Sequence, residues 1–192
     1  MIEPTTPRLR LRQWQERDRA PFAQLNADPQ VMEFFPHRLD RAASDAMVDR
    51  LAALIQQQGW GLWAMECLAD QEFIGFVGLN TPSVALPIAS QCQPPVEVGW
   101  RLARPFWGQG YATEAAQAAL QVGFNQLALP EIISFTALDN RRSQAVMQRL
   151  GMERDAETFL HPGVPAGHPL QAHCLYRLGV ETWRAQTAEI LP

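Results

Sequence analysis

The stretch Arg104-Pro-Phe-Trp-Gly-Gln-Gly-Tyr-Ala-Thr-Glu114 carries two glycines, Gly108 and Gly110, and leads straight into an alanine-rich segment of helical periodicity. Glycine lets the main chain turn tightly and bring successive N–H groups against an anion. The helix start that follows adds unpaired N–H donors and the positive end of its dipole. The residues before it, Val96-Glu-Val-Gly-Trp-Arg-Leu-Ala103, read as a strand, so the order is strand, glycine loop, helix. That context separates a phosphate cradle from an ordinary turn. Two familiar phosphate loops are excluded: no lysine stands where a G-x-x-x-x-G-K-[ST] loop needs one, and Thr113 occupies the third glycine position of a G-x-G-x-x-G fingerprint.

At 192 residues with 47% hydrophobic content, residues 1–192 are expected to form a single domain with a full core. The net charge of −4 and the lack of a lysine-rich run leave no footprint for nucleic acid. The positive charge is all arginine, including Arg8, Arg10, Arg12, Arg141 and Arg142, read as lying mostly on solvated faces. The first residues, Met1-Ile-Glu-Pro-Thr-Thr-Pro7, do not follow a signal-peptide pattern, and no stretch approaches the roughly 18 apolar residues of a membrane span. The expectation is a soluble, cytoplasmic protein with no membrane partner. Cys67, Cys92 and Cys174 are odd in number and widely spaced, which fits reduced thiols rather than a disulfide framework or a zinc pattern.

Outward from the loop, Arg8-Leu-Arg-Leu-Arg12 alternates as a half-buried first strand, and Asp18 to Ala27 reads as a helix stopped before Asp28-Pro29. Asp28 to Pro36 predicts a short helix with an aromatic end. Ala42 to Gln57 is an amphipathic helix with Ala43, Met47, Leu51, Leu54 and Ile55 on its apolar face, ended by Gly59. Gly61 to Leu68 and Phe73 to Leu79 form a hairpin, the second strand interrupted by Gly75 and Gly78. Thr81 to Pro95, with four prolines, is a surface loop. Tyr111 to Leu127 is a helix with a small-residue stripe, Glu131 to Ala137 a strand, and Arg141 to Leu150 a helix closed by Gly151. Glu153 to Leu160 and Ala172 to Leu178 are strands joined by a Pro/Gly/His-rich loop, and the apolar segment Val180-Glu-Thr-Trp-Arg184 either covers the sheet or serves a dimer interface. This order is α+β, a mixed, mostly antiparallel sheet with helices against its faces. The strands at 96–103 and 131–137, joined through a helix, are expected to be parallel neighbours.

A second pattern lies after the 131–137 strand: Leu138-Asp-Asn-Arg-Arg-Ser-Gln-Ala-Val-Met-Gln-Arg-Leu-Gly-Met152. Asn140 and Ser143, three apart at a helix start, lie on one face, where an amide and a hydroxyl can address one ligand. The local alternative is that Asn140 is an N-cap and Ser143 a first-turn hydroxyl, and both roles are compatible.

Together with Trp107-Gly-Gln-Gly-Tyr-Ala-Thr-Glu-Ala115, this segment resembles the GCN5-related N-acetyltransferase (GNAT) superfamily, closest to its branch of ribosomal-protein alanine N-acetyltransferases (RimJ/RimL-like). The resemblance covers nearly the whole chain; Pro105 departs from the Gln or Arg usual at its position. It implies a GNAT-like twisted sheet with helices on both faces, in which the strands at 96–103 and 131–137 splay apart around a pantetheine arm. It also implies acetyl-CoA as acyl donor, with Trp107, Gly108, Gln109, Gly110, Tyr111 and Ala112 at the diphosphate. Backbone groups of Val98, Gly99 and Trp100 would meet the acyl and pantetheine carbonyls, Asn140 the pantetheine arm and Ser143 the sulfur. The acceptor it implies is an amine, a protein N-terminus or a small molecule, on a monomer or homodimer with no nucleic-acid partner.

Acetyl transfer needs a neutral amine, a stabilised oxyanion and a protonated leaving thiolate. Glu97 is the candidate general base, working through water, with a structural carboxylate as its rival reading; Glu66, Asp70 and Glu72 lie near the central hairpin, the last two as turn residues. Many superfamily members protonate the thiolate with a tyrosine seven residues after the asparagine. Here that residue is Met147, so Ser143 or its bound water takes the role. Arg104, Arg141 and Arg142 could meet a CoA phosphate. Met147 keeps open a catalytically silent acyl-CoA sensor, and transfer of another short acyl group is a further alternative. His161, His168 and His173 raise a metal hydrolase, but their spacings do not set ligands on one helical turn, and no metal is expected.

Overall fold

Residues 1–188 are described by the structure, a computed structural model. The strands are β1 (Leu9–Arg12), β2 (Leu62–Cys67), β3 (Phe73–Asn80), β4 (Glu97–Leu102), β5 (Glu131–Ala137), β6 (Glu153–Leu160) and β7 (Ala172–Gly179). The helices are α1 (Arg19–Ala27), α2 (Arg41–Gln58), α3 (Tyr111–Gln121), α4 (Arg141–Arg149) and α5 (Val180–Ala188). Strand order is β1-β2-β3-β4-β5-β7-β6; β1–β2, β2–β3, β5–β7 and β6–β7 pair antiparallel, and β4 and β5 run parallel. The mixed sheet and the parallel pair expected from the helical crossover are both present.

Two units share the chain, residues 1–80 with 99–119, and residues 81–98 with those from 120 onward. In the first, alternation buries Leu9 and Leu11 of β1, and α1 and α2 lie against the β2–β3 hairpin. Its aromatic centre is Trp14, Phe22, Phe73 and Phe76, with Trp14 and Phe22 edge-to-face at 4.9 Å between ring centres. Asp40 caps α2 by accepting the Ala43 N–H at 2.8 Å, and Gly59 ends it in the left-handed conformation at φ 84°. Gly75 sits where β3 and β4 come closest: a Cβ there would fall on the Arg101 carbonyl, so only hydrogen fits. Beside it the Ala103 N–H donates to the Ile74 carbonyl at 2.9 Å.

In the second unit β7 pairs with β5 along Glu131–Ala137 and with β6 on its other side. Ile133, Phe159 and Leu175 form a core that Leu86, Ile88 and Phe135 extend, so part of the 81–95 loop packs rather than merely crossing the surface. Gly151 follows α4 at φ 72°, as a C′ residue should.

Two expectations require correction, and two open readings are filled in. Asp28–Pro36 is a series of turns and bends without a helix, because its carbonyls and N–H groups close single turns, such as Met32 N–H to Asp28 O at 3.0 Å, that do not propagate. The buried face of α2 is Ser44, Val48, Leu51 and Ile55, leaving Ala43 exposed. The segment from Val180 is helical; Trp183 stacks on Phe124 at 4.9 Å, and Gln186 donates to the Gly151 carbonyl at 3.0 Å, so it packs on its own unit. Finally, Arg12 is buried rather than solvated. Its guanidinium grips Asp18 with two bonds, at 2.7 and 2.9 Å, and donates from Nε to Glu66 at 2.7 Å. Arg17 also reaches Glu66, at 2.6 Å, which makes Glu66 part of an ion cluster.

Removing one member of such a cluster strands a buried charge. Asp18→Ala is expected to lower unfolding free energy by about 3–5 kcal/mol, read from the denaturant midpoint, whereas Glu16→Ala at the same turn should change it by under about 0.5 kcal/mol.

Candidate active site

The glycine loop is built within the first unit. After β4 the chain makes a 3₁₀ turn at Arg104–Phe106, with Phe106 and Trp107 N–H groups donating to the Ala103 and Arg104 carbonyls at 3.0 and 3.1 Å. Those two amides are therefore spent on the turn. The Trp107 indole N–H binds the Leu102 carbonyl at 2.9 Å and ties the loop to the end of β4. Gly108 and Gly110 take φ 74° and 83°, which side chains disfavour, and nothing lies within 4 Å of the place a Cβ would occupy on Gly108. The first helical bond runs from Glu114 N–H to the Gly110 carbonyl at 3.0 Å. The N–H groups of Tyr111, Ala112 and Thr113 thus have no intrahelical acceptor. An open, exposed loop ending on such donors suits a diphosphate.

One brace escaped the sequence reading. Arg8 donates to the Gln109 carbonyl at 3.0 Å, pairs with Glu114 at 2.6 Å and stacks over the Tyr111 ring at 4.4 Å. Thr6 donates to the same carboxylate at 2.6 Å. Glu114 keeps a lowered pKa: burial pushes it up, but the bonds from Thr6 and Arg8 outweigh that. The signal was a carboxylate in the first turn of a helix, but its partner lies over a hundred residues away. Arg104 is exposed and lines an open groove of about 790 Å³ with Gln24, Asp28 and Gln30.

The second unit brings together the start of β4, β5 and the N-terminus of α4. Glu97 is in register with Ile133, and the Ile133 N–H donates to the Val96 carbonyl at 3.0 Å. The buried Ser134 hydroxyl donates to the Val98 carbonyl at 2.9 Å. Asn140 caps α4: its Oδ1 accepts the Ser143 N–H at 3.2 Å, and its Nδ2 donates to Thr136 Oγ1 and Ser143 Oγ at 2.9 and 3.1 Å. The cap reading therefore holds. Because the Ser143 hydroxyl accepts from Asn140, its own proton is available to another acceptor. Met147 is 1% exposed and packs in the core, where it has no proton to give.

A family model described as the acetyltransferase (GNAT) domain matches residues 8–153. The chain belongs to the GNAT acetyltransferases. This N-acetyltransferase is 32% identical over 148 residues to the uncharacterized protein YkkB of Bacillus subtilis, a match spanning 77% of this chain and 83% of that one. Its fold matches an acetyltransferase from Agrobacterium tumefaciens at TM-score 0.73 and 27% identity, over 93% and 94% of the two chains. It also matches RimL, a ribosomal L7/L12 alpha-N-protein acetyltransferase solved with coenzyme A, at TM-score 0.71 and 18% identity, over 95% and 99%. GNAT folds bind acetyl-CoA as a class.

Two of the three C-terminal histidines meet in this GNAT chain. His161 and His173 rings lie 4.9 Å apart and both contact Phe135 and Phe159. His168 instead accepts the Leu170 N–H at 3.1 Å, and among the described residues no three potential metal ligands gather. Likewise no helix among them is long and apolar enough to cross a membrane. Cys67, Cys92 and Cys174 are free and buried.

Burial lowers the pKa of His161 and of His173 below the ordinary imidazole value of 6.5, and for His173 the neighbouring His161 adds to it. Below that value the unfolded chain binds protons that the folded chain does not, so stability rises with pH across the window under 6.5. Chemical denaturation should show a lower midpoint at pH 5.5 than at pH 7.5, and His173→Phe should shrink the difference.

Proposed function

We propose that this enzyme, with residues 1–192 acting as one domain, transfers the acetyl group of acetyl-CoA directly to a primary amine without a covalent acyl-enzyme. The observation that carries the reading is the glycine loop at positive φ, with open space over Gly108 and unclaimed N–H groups on Tyr111 and Ala112. Main-chain amides of Gly108, Gln109, Gly110, Tyr111 and Ala112 hold the diphosphate, and Trp107 acts as the brace that fixes their directions.

When bound, acetyl-CoA supplies an activated acyl carbon. This chain's residues supply the rest. Backbone groups of Val98, Gly99 and Trp100 orient the thioester and pantetheine carbonyls. Glu97 takes the proton of the attacking amine, directly or through water, so the nitrogen lone pair is free when it reaches the carbonyl carbon. Asn140 fixes Ser143, whose hydroxyl hydrogen-bonds the departing thiolate as the C–S bond breaks and relays to it a proton from water. The acceptor is a protein N-terminus or a small amine in the cytoplasm; the likeness to the ribosomal-protein branch supports the former. No metal enters these steps.

Glu97→Gln is expected to lower turnover by about 10²-fold near neutral pH and to recover toward the native rate at high pH, where the amine is already neutral; free CoA release is the readout. A flat, unaltered profile removes Glu97 from the mechanism. Gly108→Val places a branched side chain over the donors at positive φ, and isothermal titration should show acetyl-CoA binding weakened at least about tenfold, ~1.4 kcal/mol.

A further inference from the structure

Arginines 12 and 101 are both buried at their guanidinium in the first unit, yet they are treated differently. Arg12 spends Nε, Nη1 and Nη2 on two carboxylates. Arg101, on β4, has Nη1 donating to Asn26 Oδ1 at 2.6 Å, while its buried Nε has no partner. Among the described residues no carboxylate pairs with it. Asn26 is itself locked, fully buried and donating from Nδ2 to the Ser44 hydroxyl at 2.9 Å, which holds its oxygen toward the arginine. Burial brings the guanidinium down to about 10, so it remains charged at neutral pH without an internal counter-ion.

A buried cation with no anion is costly, and protein groups that keep one are either uncompensated or await a charge from outside. The Arg101 Cζ lies over the Phe35 and Phe76 rings, 4.1 and 5.4 Å from their centroids, so aromatic faces rather than a carboxylate stand against the cation. Phe35 belongs to the irregular link between α1 and α2 and is 38% exposed, and Arg101 as a whole is only partly buried. Arg101 follows Glu97 by four positions in the sequence of β4.

We propose that Arg101 is a specificity-determining residue that receives a carboxylate carried by the acceptor amine. The preferred acceptors are then amino acids or peptides bearing a free carboxylate, and polyamines and other purely cationic amines are disfavoured. This rests on the amine-transfer reading given above and narrows its substrate class.

The test uses the full chain with acetyl-CoA and matched acceptors: L-alanine, alanylalanine and trialanine, each as free acid and as C-terminal amide, which step the carboxylate away from the amine. Rates of CoA release are expressed per neutral amine, since acid and amide differ in amine pKa. At least one acid should exceed its amide by about tenfold or more in kcat/KM, the scale of a charge-assisted pair. Arg101→Gln should bring that acid down to its amide's level while the KM for acetyl-CoA stays within about twofold, and Arg101→Lys, which keeps charge but loses the planar fork, should fall between. Equal kcat/KM for acids and amides in the native enzyme overturns the assignment without need of any variant that might misfold. An equal loss for acid and amide in Arg101→Gln also overturns it, marking a structural role. Turnover without acid preference leaves the transfer reading standing and removes only Arg101; no CoA release with any acceptor removes both.

Discussion

Strand β4 approaches β3 so closely that position 75 admits no side chain, and much of the first unit's geometry follows from that contact. The Ala103 N–H meets the Ile74 carbonyl, which fixes where the strand ends and where the 3₁₀ turn begins. The Leu102 carbonyl, held in place, receives the Trp107 indole, and the two glycines after it turn the chain into α3. The cradle is therefore positioned by backbone contacts and one indole, and Arg8 locks its far side through the Gln109 carbonyl and Glu114. The same approach carries Arg101 to the ring of Phe76 and to the amide of Asn26.

In the second unit a single side chain organises the start of α4. Asn140 satisfies the Ser143 amide, the Ser143 hydroxyl and the Thr136 hydroxyl at once, so β5 and α4 are stitched at one point. The same three bonds cap the helix and hold the Ser143 hydroxyl in place. Burial of Met147 places a packing residue at the position where the family resemblance implies a tyrosine.

What could be read from the sequence was whatever depends on local conformation. Glycines demanding positive φ, alternating strands, the parallel crossover and the Asn/Ser spacing all act over a few residues, and these features appear as expected. What stayed hidden depends on partners distant in the chain. Arg12 looked solvated because its counter-charge Glu66 is 54 residues away, and the Arg8–Glu114 brace spans 106. The face of α2 shifted because Ser44 is buried against Asn26, a hydrogen bond that hydrophobicity does not register. Asp28–Pro36 has helix-like composition, but its isolated turns never become cooperative.

After Gln121 the α3 helix widens into a π turn over Val122–Gln126, with the Leu127 N–H reaching back five residues to the Val122 carbonyl at 3.0 Å. One surplus residue in that turn re-phases everything beyond it by about 100° around the axis. The shift lets Phe124 lie flat against Trp183 while the small-residue stripe upstream keeps its own orientation. Shortening the turn by one residue would restore ordinary helical spacing at the cost of that stack. The bulge thus acts as a phase adjuster, allowing the two ends of one helical run to answer to different neighbours.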